Sequence, residues 1–196
     1  MIKGWAEAMT KYSKELEGDD PPYIYNERSS VGFLAAGMWM NGSIAMEEYR
    51  CQKGLRGKQK KHGRADLYFH VGDLTASAEA KFIWMNAASR DLTVNNKIRK
   101  SISGAINDVA LVQDAEFKMG ICFYVMGFPK KRYLDFEQNA NLYIKKEINR
   151  YSNYTYLHLW AWYFPKQTRY LCLPERIGSN FYLYYPGVIL GMRAHK

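Results

Sequence analysis

The chain has 196 residues, 47% of them hydrophobic and 24% charged, with a formal net charge of +9 at pH 7. This composition excludes a disordered or low-complexity protein and suits a single domain over 1–196, since no repeat or linker divides it. The longest apolar run is too short to span a bilayer, which excludes a helical membrane protein, and the basic excess points to an acidic partner such as nucleic acid.

In chain order, residues 3–17 form an amphipathic helix (Trp5, Met9, Tyr12, Leu16) that Gly18 stops. A second helix is predicted from Glu27 to Tyr49 behind the candidate cap Asn26. A hairpin comes next around Gly72-Asp73, then a helix over 94–113, whose Val94, Ile98, Ile102, Ile106, Val109 and Val112 repeat every three or four residues. The apolar run 119–126 reads as a buried strand. A helix from Phe136 to Arg150 and a strand from Tyr156 to Phe164 come after it, and the Tyr- and Trp-rich segment 151–186 suggests a further aromatic hairpin. Met1 leads at once into an amphipathic helix, so no signal peptide is expected. Cys51, Cys122 and Cys172 are scattered and odd in number, which suits reduced thiols in a cytoplasmic protein.

The hairpin carries the chemistry. Leu67, Phe69 and Val71 alternate with Asp66, Tyr68 and His70; Ala78, Ala80, Phe82 and Trp84 alternate with Ser77, Glu79, Lys81 and Ile83. A two-residue Gly72-Asp73 turn pairs Val71 with Leu74 and, by the same count, Asp66 with Glu79. Opposed residues hold their Cβ atoms about 5 Å apart, where two like charges repel. A divalent cation converts that repulsion into a binding site, because hard cations prefer carboxylate oxygens. Lys81 lies one same-face step beyond Glu79, in reach of a bound water or phosphate.

Asp66, followed thirteen residues later by Glu79-Ala80-Lys81, resembles the PD-(D/E)XK motif of the restriction-endonuclease-like nuclease superfamily. Ala65 stands where the motif has its proline. The resemblance covers about residues 26–165. It implies an α/β fold: a restriction-endonuclease-like core with a central mixed β-sheet flanked by helices, the C-terminal aromatic β-hairpin lying outside it. It also implies a deoxyribonuclease, an endonuclease hydrolysing phosphodiester bonds with Mg²⁺, for which Mn²⁺ is a substitute. In that scheme Asp66, Glu79 and the backbone carbonyl of Ala80 hold the metal, and Lys81 orients the water and stabilises charge on the phosphate. Many members add a glutamate from the preceding helix. Glu48 fits that role at the helix end, with Glu47 a close rival and Glu27 a weaker one.

The positive charge is uneven. No acid occurs between Glu48 and Asp66, yet Arg50, Lys53, Arg56, Lys58, Lys60, Lys61 and Arg64 do. Glycines at 54, 57 and 63 make this a loop opening onto Asp66, and phosphate contact is its expected role. Lys97 and Lys100, with Arg99, form a second basic set at the predicted start of the helix after Glu79. Lys130, Lys131 and Arg132 read as solvated surface.

Two other functions fit the residues. One is a non-catalytic nucleic-acid-binding protein on the same fold. The other is a protein-interaction module whose aromatic C-terminal strands bind a partner, in which Asp66, Glu79 and Lys81 form only a cross-strand salt-bridge ladder. His70 shares the Asp66 face but reads as structural, and His62 belongs to the basic loop. Cutting both strands of a duplex often takes two sites, which makes a homodimer plausible.

Overall fold

The computed structural model describes residues 1–54, 61–113, 115–175 and 179–195. Helix α1 (Ile2–Glu15) buries Trp5, Ala8 and Met9. After a 3₁₀ turn at Pro22–Ile24, helix α2 (Glu27–Met40) begins at Asn26, whose side-chain oxygen accepts the Ser29 N–H at 2.9 Å. That bond satisfies one of the donors a helix start leaves unpaired. The two helices meet at Gly4 and Gly37. A Cβ on either would fall inside the other's backbone, so the close approach depends on both lacking a side chain.

The helix predicted to run to Tyr49 ends nine residues earlier, at Met40. Gly42 adopts φ +75°, a left-handed conformation that only glycine enters cheaply, and the Ser43 N–H returns to the Met38 carbonyl. The chain then continues as strand β1 (Ile44–Lys53). The helical spacing of Leu34, Met38 and Ala45 therefore spans two elements. The expected hairpin is a three-stranded meander of β1, β2 (Lys61–Val71) and β3 (Leu74–Asn86). Its second turn has the predicted register, Val71 opposite Leu74 and Leu67 opposite Ala78.

Helix α3 (Asp91–Ala110) leads to β4 (Phe117–Pro129), which pairs parallel with β3. Because α3 starts at Asp91 rather than 94, Lys97, Arg99 and Lys100 sit in its second and third turns, not at its N-terminus. Helix α4 (Phe136–Ser152) precedes β5 (Leu159–Tyr163), β6 (Cys172–Pro174) and β7 (Tyr182–Ala194). The sheet has seven strands in the order β1-β2-β3-β4-β7-β5, with β6 pairing along β7. All neighbours are antiparallel except β3 and β4, so the sheet is mixed and open.

The C-terminal strands are not an appended hairpin. β7 lies between β4 and β5, with Val188, Ile189 and Leu190 each no more than 1% exposed. A strand apolar on both faces belongs inside a sheet covered on both sides. That is the case here. Trp5, Met9, Val31, Leu34 and Met38 of α1 and α2 pack on one face, and Val94, Ile98, Ile102, Phe136 and Ile144 of α3 and α4 on the other. Tyr184 and Tyr185, expected in that aromatic hairpin, are core residues. The chain is thus α/β, with a mixed seven-stranded sheet flanked by helices.

Candidate active site

The ladder between β2 and β3 stops at Leu67 and Ala78. Beyond that point the acids replace it. Asp66 Oδ2 accepts the Ala80 N–H at 2.7 Å, and the Phe82 N–H acts to lower the pKa of the Glu27 carboxyl. An edge donor of β3 that a strand would otherwise satisfy is therefore bound by a carboxylate, which fixes Asp66 against rigid backbone.

Glu79 faces inward from the same stretch of β3 and is only 5% exposed. Its Oε1 lies 2.5 Å from Lys53 Nζ. Burial pushes its carboxyl up to about 7. Lys53 works against the rise, while the charge of Asp66 and a hydrogen bond with it add to it. Asp66 and Glu79 are thus electrostatically coupled, although the paired ladder ends one row before them. Lys53 reaches them from the end of β1 by running over Gly63, where a Cβ would sit 2.8 Å from the lysine Cδ.

Lys81 lies one same-face step beyond Glu79, as expected, but its Nζ is held 2.7 Å from Asp108 Oδ2 on α3. Its stem passes α3 at Gly104, where a Cβ would lie 3.7 Å from Lys81 Cε. Burial works to lower the Lys81 pKa and is outweighed by Asp108, Glu27 and Asp66, so the ammonium is kept charged. Glu27 is half-buried at the start of α2; burial and then the Asp66 charge raise its pKa, opposed by Lys81 and the Phe82 N–H. Glu27, Asp66, Glu79, Lys81 and Asp108 form one electrostatically linked group.

Glu48 is placed differently from the sequence reading. It lies on β1, not on a helix, in the row directly across from Asp66. A left-handed backbone, φ +50°, breaks the strand alternation there. Its carboxylate pairs with Arg28 at 2.8 Å and Arg64 at 3.4 Å. The Arg28 hydrogen bond lowers its pKa despite some desolvation, with Arg64 helping. Glu48 still borders a cavity of about 40 Å³ with Glu27, Arg28, Val31, Glu47 and Asp66, room for a few waters.

The basic residues divide. Arg56, Lys58 and Lys60 lie outside the described residues. Lys53 points into the acids, while Lys61 opposite it and Lys100 on α3 are exposed. Arg64 holds Glu48, and with Glu48 itself, Arg50, His62 and Gly63 it borders a groove of about 480 Å³. Lys97 donates to the Trp84 carbonyl at 3.1 Å. His70 is bonded to Thr75 near the turn, four residues from Asp66. The sequence reading ranks Glu27 below Glu48 because it extends the helix nine residues too far. Asn26 and Gly42 together are the signal that marks the true helix. Asp108 carries no sequence signal at all.

Among the described residues, no group of three or more His, Cys, Asp and Glu side chains is drawn together as a ready-made metal centre. The donor set nevertheless suits a hard divalent cation: oxygens only, one acid buried, and an ammonium already attracted to it. No helix among the described residues is long and apolar enough to cross a membrane. The chain matches no protein-family model, no curated protein and no solved structure.

Proposed function

We propose that this chain is a divalent-metal-dependent nuclease, acting on DNA, with a core like that of the restriction-endonuclease-like superfamily. The observation that carries the reading is the convergence of Asp66 and Glu79 where β2 and β3 part, with Lys81 beside them. The acid-bearing hairpin, the α3 crossover and the parallel strand β4 support the fold comparison.

Asp66 and Glu79 would hold Mg²⁺, with Glu27 rather than Glu48 as the acid from the helix. The bound metal supplies an activated water and neutralises charge on the phosphate oxygens. Lys81, kept protonated by Asp108, stabilises the negative charge that grows on the phosphate during attack. Asp66 is oriented by the Ala80 N–H, so it needs little reorganisation when substrate arrives. The groove lined by Arg50, His62 and Arg64 offers phosphate contacts.

The test is cleavage of plasmid and single-stranded DNA by purified protein with Mg²⁺ or EDTA. Cleavage is expected with Mg²⁺ only, falling on the order of 10²-fold or more in Lys81→Ala. Cutting that persists in EDTA and in Lys81→Ala would sink the assignment. One observation favours a second reading, non-catalytic nucleic-acid binding: Glu79 already has an internal cation in Lys53. Salt-sensitive DNA binding without cleavage, unchanged in Asp66→Ala, would decide for it.

A further inference from the structure

A second recess lies farther along β3. Trp84 is three residues beyond Lys81, about 10 Å at strand rise and on the opposite face of the sheet, and 44% exposed although the adjoining Met85 is core. Its ring is fixed edge-to-face, 5.4 Å from Phe82 and 5.3 Å from Tyr185 between centroids. It forms one wall of a cavity of about 520 Å³ bordered also by Asn86, Ser89, Lys97, Leu183 and Tyr185. Asn86 and Ser89 are shared with an adjoining groove of about 350 Å³ that carries Lys131 and Arg132. Glu175 is the one acid on these two walls among the described residues.

An immobilised, half-exposed aromatic beside a polar recess and three cations matches what unpaired nucleotides require. Base stacking on an aromatic ring tolerates any sequence, and cations track the backbone. A paired base in a duplex offers no face to such a ring. The volume lies in the range of small-ligand sites and is ample for one nucleotide. Lys97 lines the Trp84 cavity: it is exposed, and its ammonium donates to the Trp84 carbonyl.

We infer that the recess formed by Trp84, Tyr185 and Lys97, continuing to Lys131 and Arg132, binds a single-stranded segment of nucleic acid farther along β3 from the acidic site. The inference rests on the proposed nuclease function and specifies its substrate class: a strand, overhang or junction with unpaired nucleotides near the cut, rather than an intact duplex. The basic patch at Lys131 and Arg132, read from sequence as plain solvated surface, becomes the far end of that path.

The test uses the full chain in Ca²⁺, which permits binding without turnover. Anisotropy is measured on labelled oligothymidine, oligouridine and a duplex of matched length, for wild type, Trp84→Ala, Trp84→Phe, Lys97→Ala and Asp66→Ala. Wild type should prefer the single strands. Trp84→Ala should weaken single-strand binding about tenfold, as expected for one lost stacked base, while duplex binding stays within twofold and Trp84→Phe restores most of the loss. Lys97→Ala should flatten the single-strand salt dependence by about one phosphate. Equal losses on duplex and single strand, or no loss in Trp84→Ala, overturn the inference. Mg²⁺-dependent cleavage without single-strand preference removes the recess and leaves the nuclease reading. Trp84-dependent single-strand binding by a protein that never cleaves does the reverse.

Discussion

Lys53 Nζ lies 2.5 Å from Glu79 Oε1, although the two residues stand on β1 and β3 with β2 between them. The lysine reaches its partner over Gly63 and places a positive charge where the proposed function requires a metal. A buried ion pair of this kind contributes little net stability, because desolvation offsets most of the attraction. Its presence fits a site whose acids are arranged for binding at some cost to the fold.

That cost should be measurable. The Glu79 carboxyl is raised from an ordinary value of 4.5 to about 7. Between those values the folded chain keeps a proton that the unfolded chain has lost, so this group's contribution to stability is largest in acid and declines as pH rises through 7. Glu79→Gln, which removes the charge, should therefore be more stable than wild type at pH 8 by about 1–3 kcal/mol and equal to it near pH 4. Urea denaturation at the two pH values checks this. A difference independent of pH would contradict it.

Metal binding should run in the same direction. Mg²⁺ or Mn²⁺ needs Glu79 ionised, so either ion should raise Tm more at pH 8 than at pH 6. The rise should vanish in Asp66→Ala. Thermal melts with and without the ion measure it, with Ca²⁺ as a control for a hard cation of different size.

The choice of helix acid has its own test. Glu27 is electrostatically coupled to Asp66 and Lys81, whereas Glu48 is held by Arg28 and Arg64. In cleavage assays Glu27→Gln should lose on the order of 10–100-fold, and Glu48→Gln should stay within a few-fold of wild type. The reverse order would return the role to Glu48.

Stability away from the site depends on the crossing of α1 and α2. Gly37→Ala forces a methyl into the backbone at Gly4, and overpacking of this kind costs about 1–3 kcal/mol or more. A shift of the urea midpoint with unchanged slope is expected. Gly32→Ala, whose Cβ would meet the Glu47 carboxylate no closer than 3.4 Å, should change stability much less.

The hairpin is legible in the sequence because register comes from turn length and period-two alternation, both local properties; the rows from Val71–Leu74 to Leu67–Ala78 rest on them. β1 is not legible. Leu34, Met38 and Ala45 keep helical spacing through the turn at Asn41 and Gly42, and a pattern-based reading does not separate a helix from a helix plus a strand there. β7 escapes notice because Val188, Ile189 and Leu190 are apolar on both faces, which gives a short run no periodicity to read. The pairings of Lys81 with Asp108 and Lys53 with Glu79 are long-range contacts set by sheet and helix packing. No spacing in the chain announces them.

The most direct test of the central claim is the position of a bound Mn²⁺ ion, located by anomalous scattering in a crystal of the full chain. A peak is predicted between the carboxylates of Asp66 and Glu79, with Lys53 Nζ moved off Glu79. A map in which Lys53 stays on Glu79 and Mn²⁺ binds elsewhere, or nowhere, would contradict it.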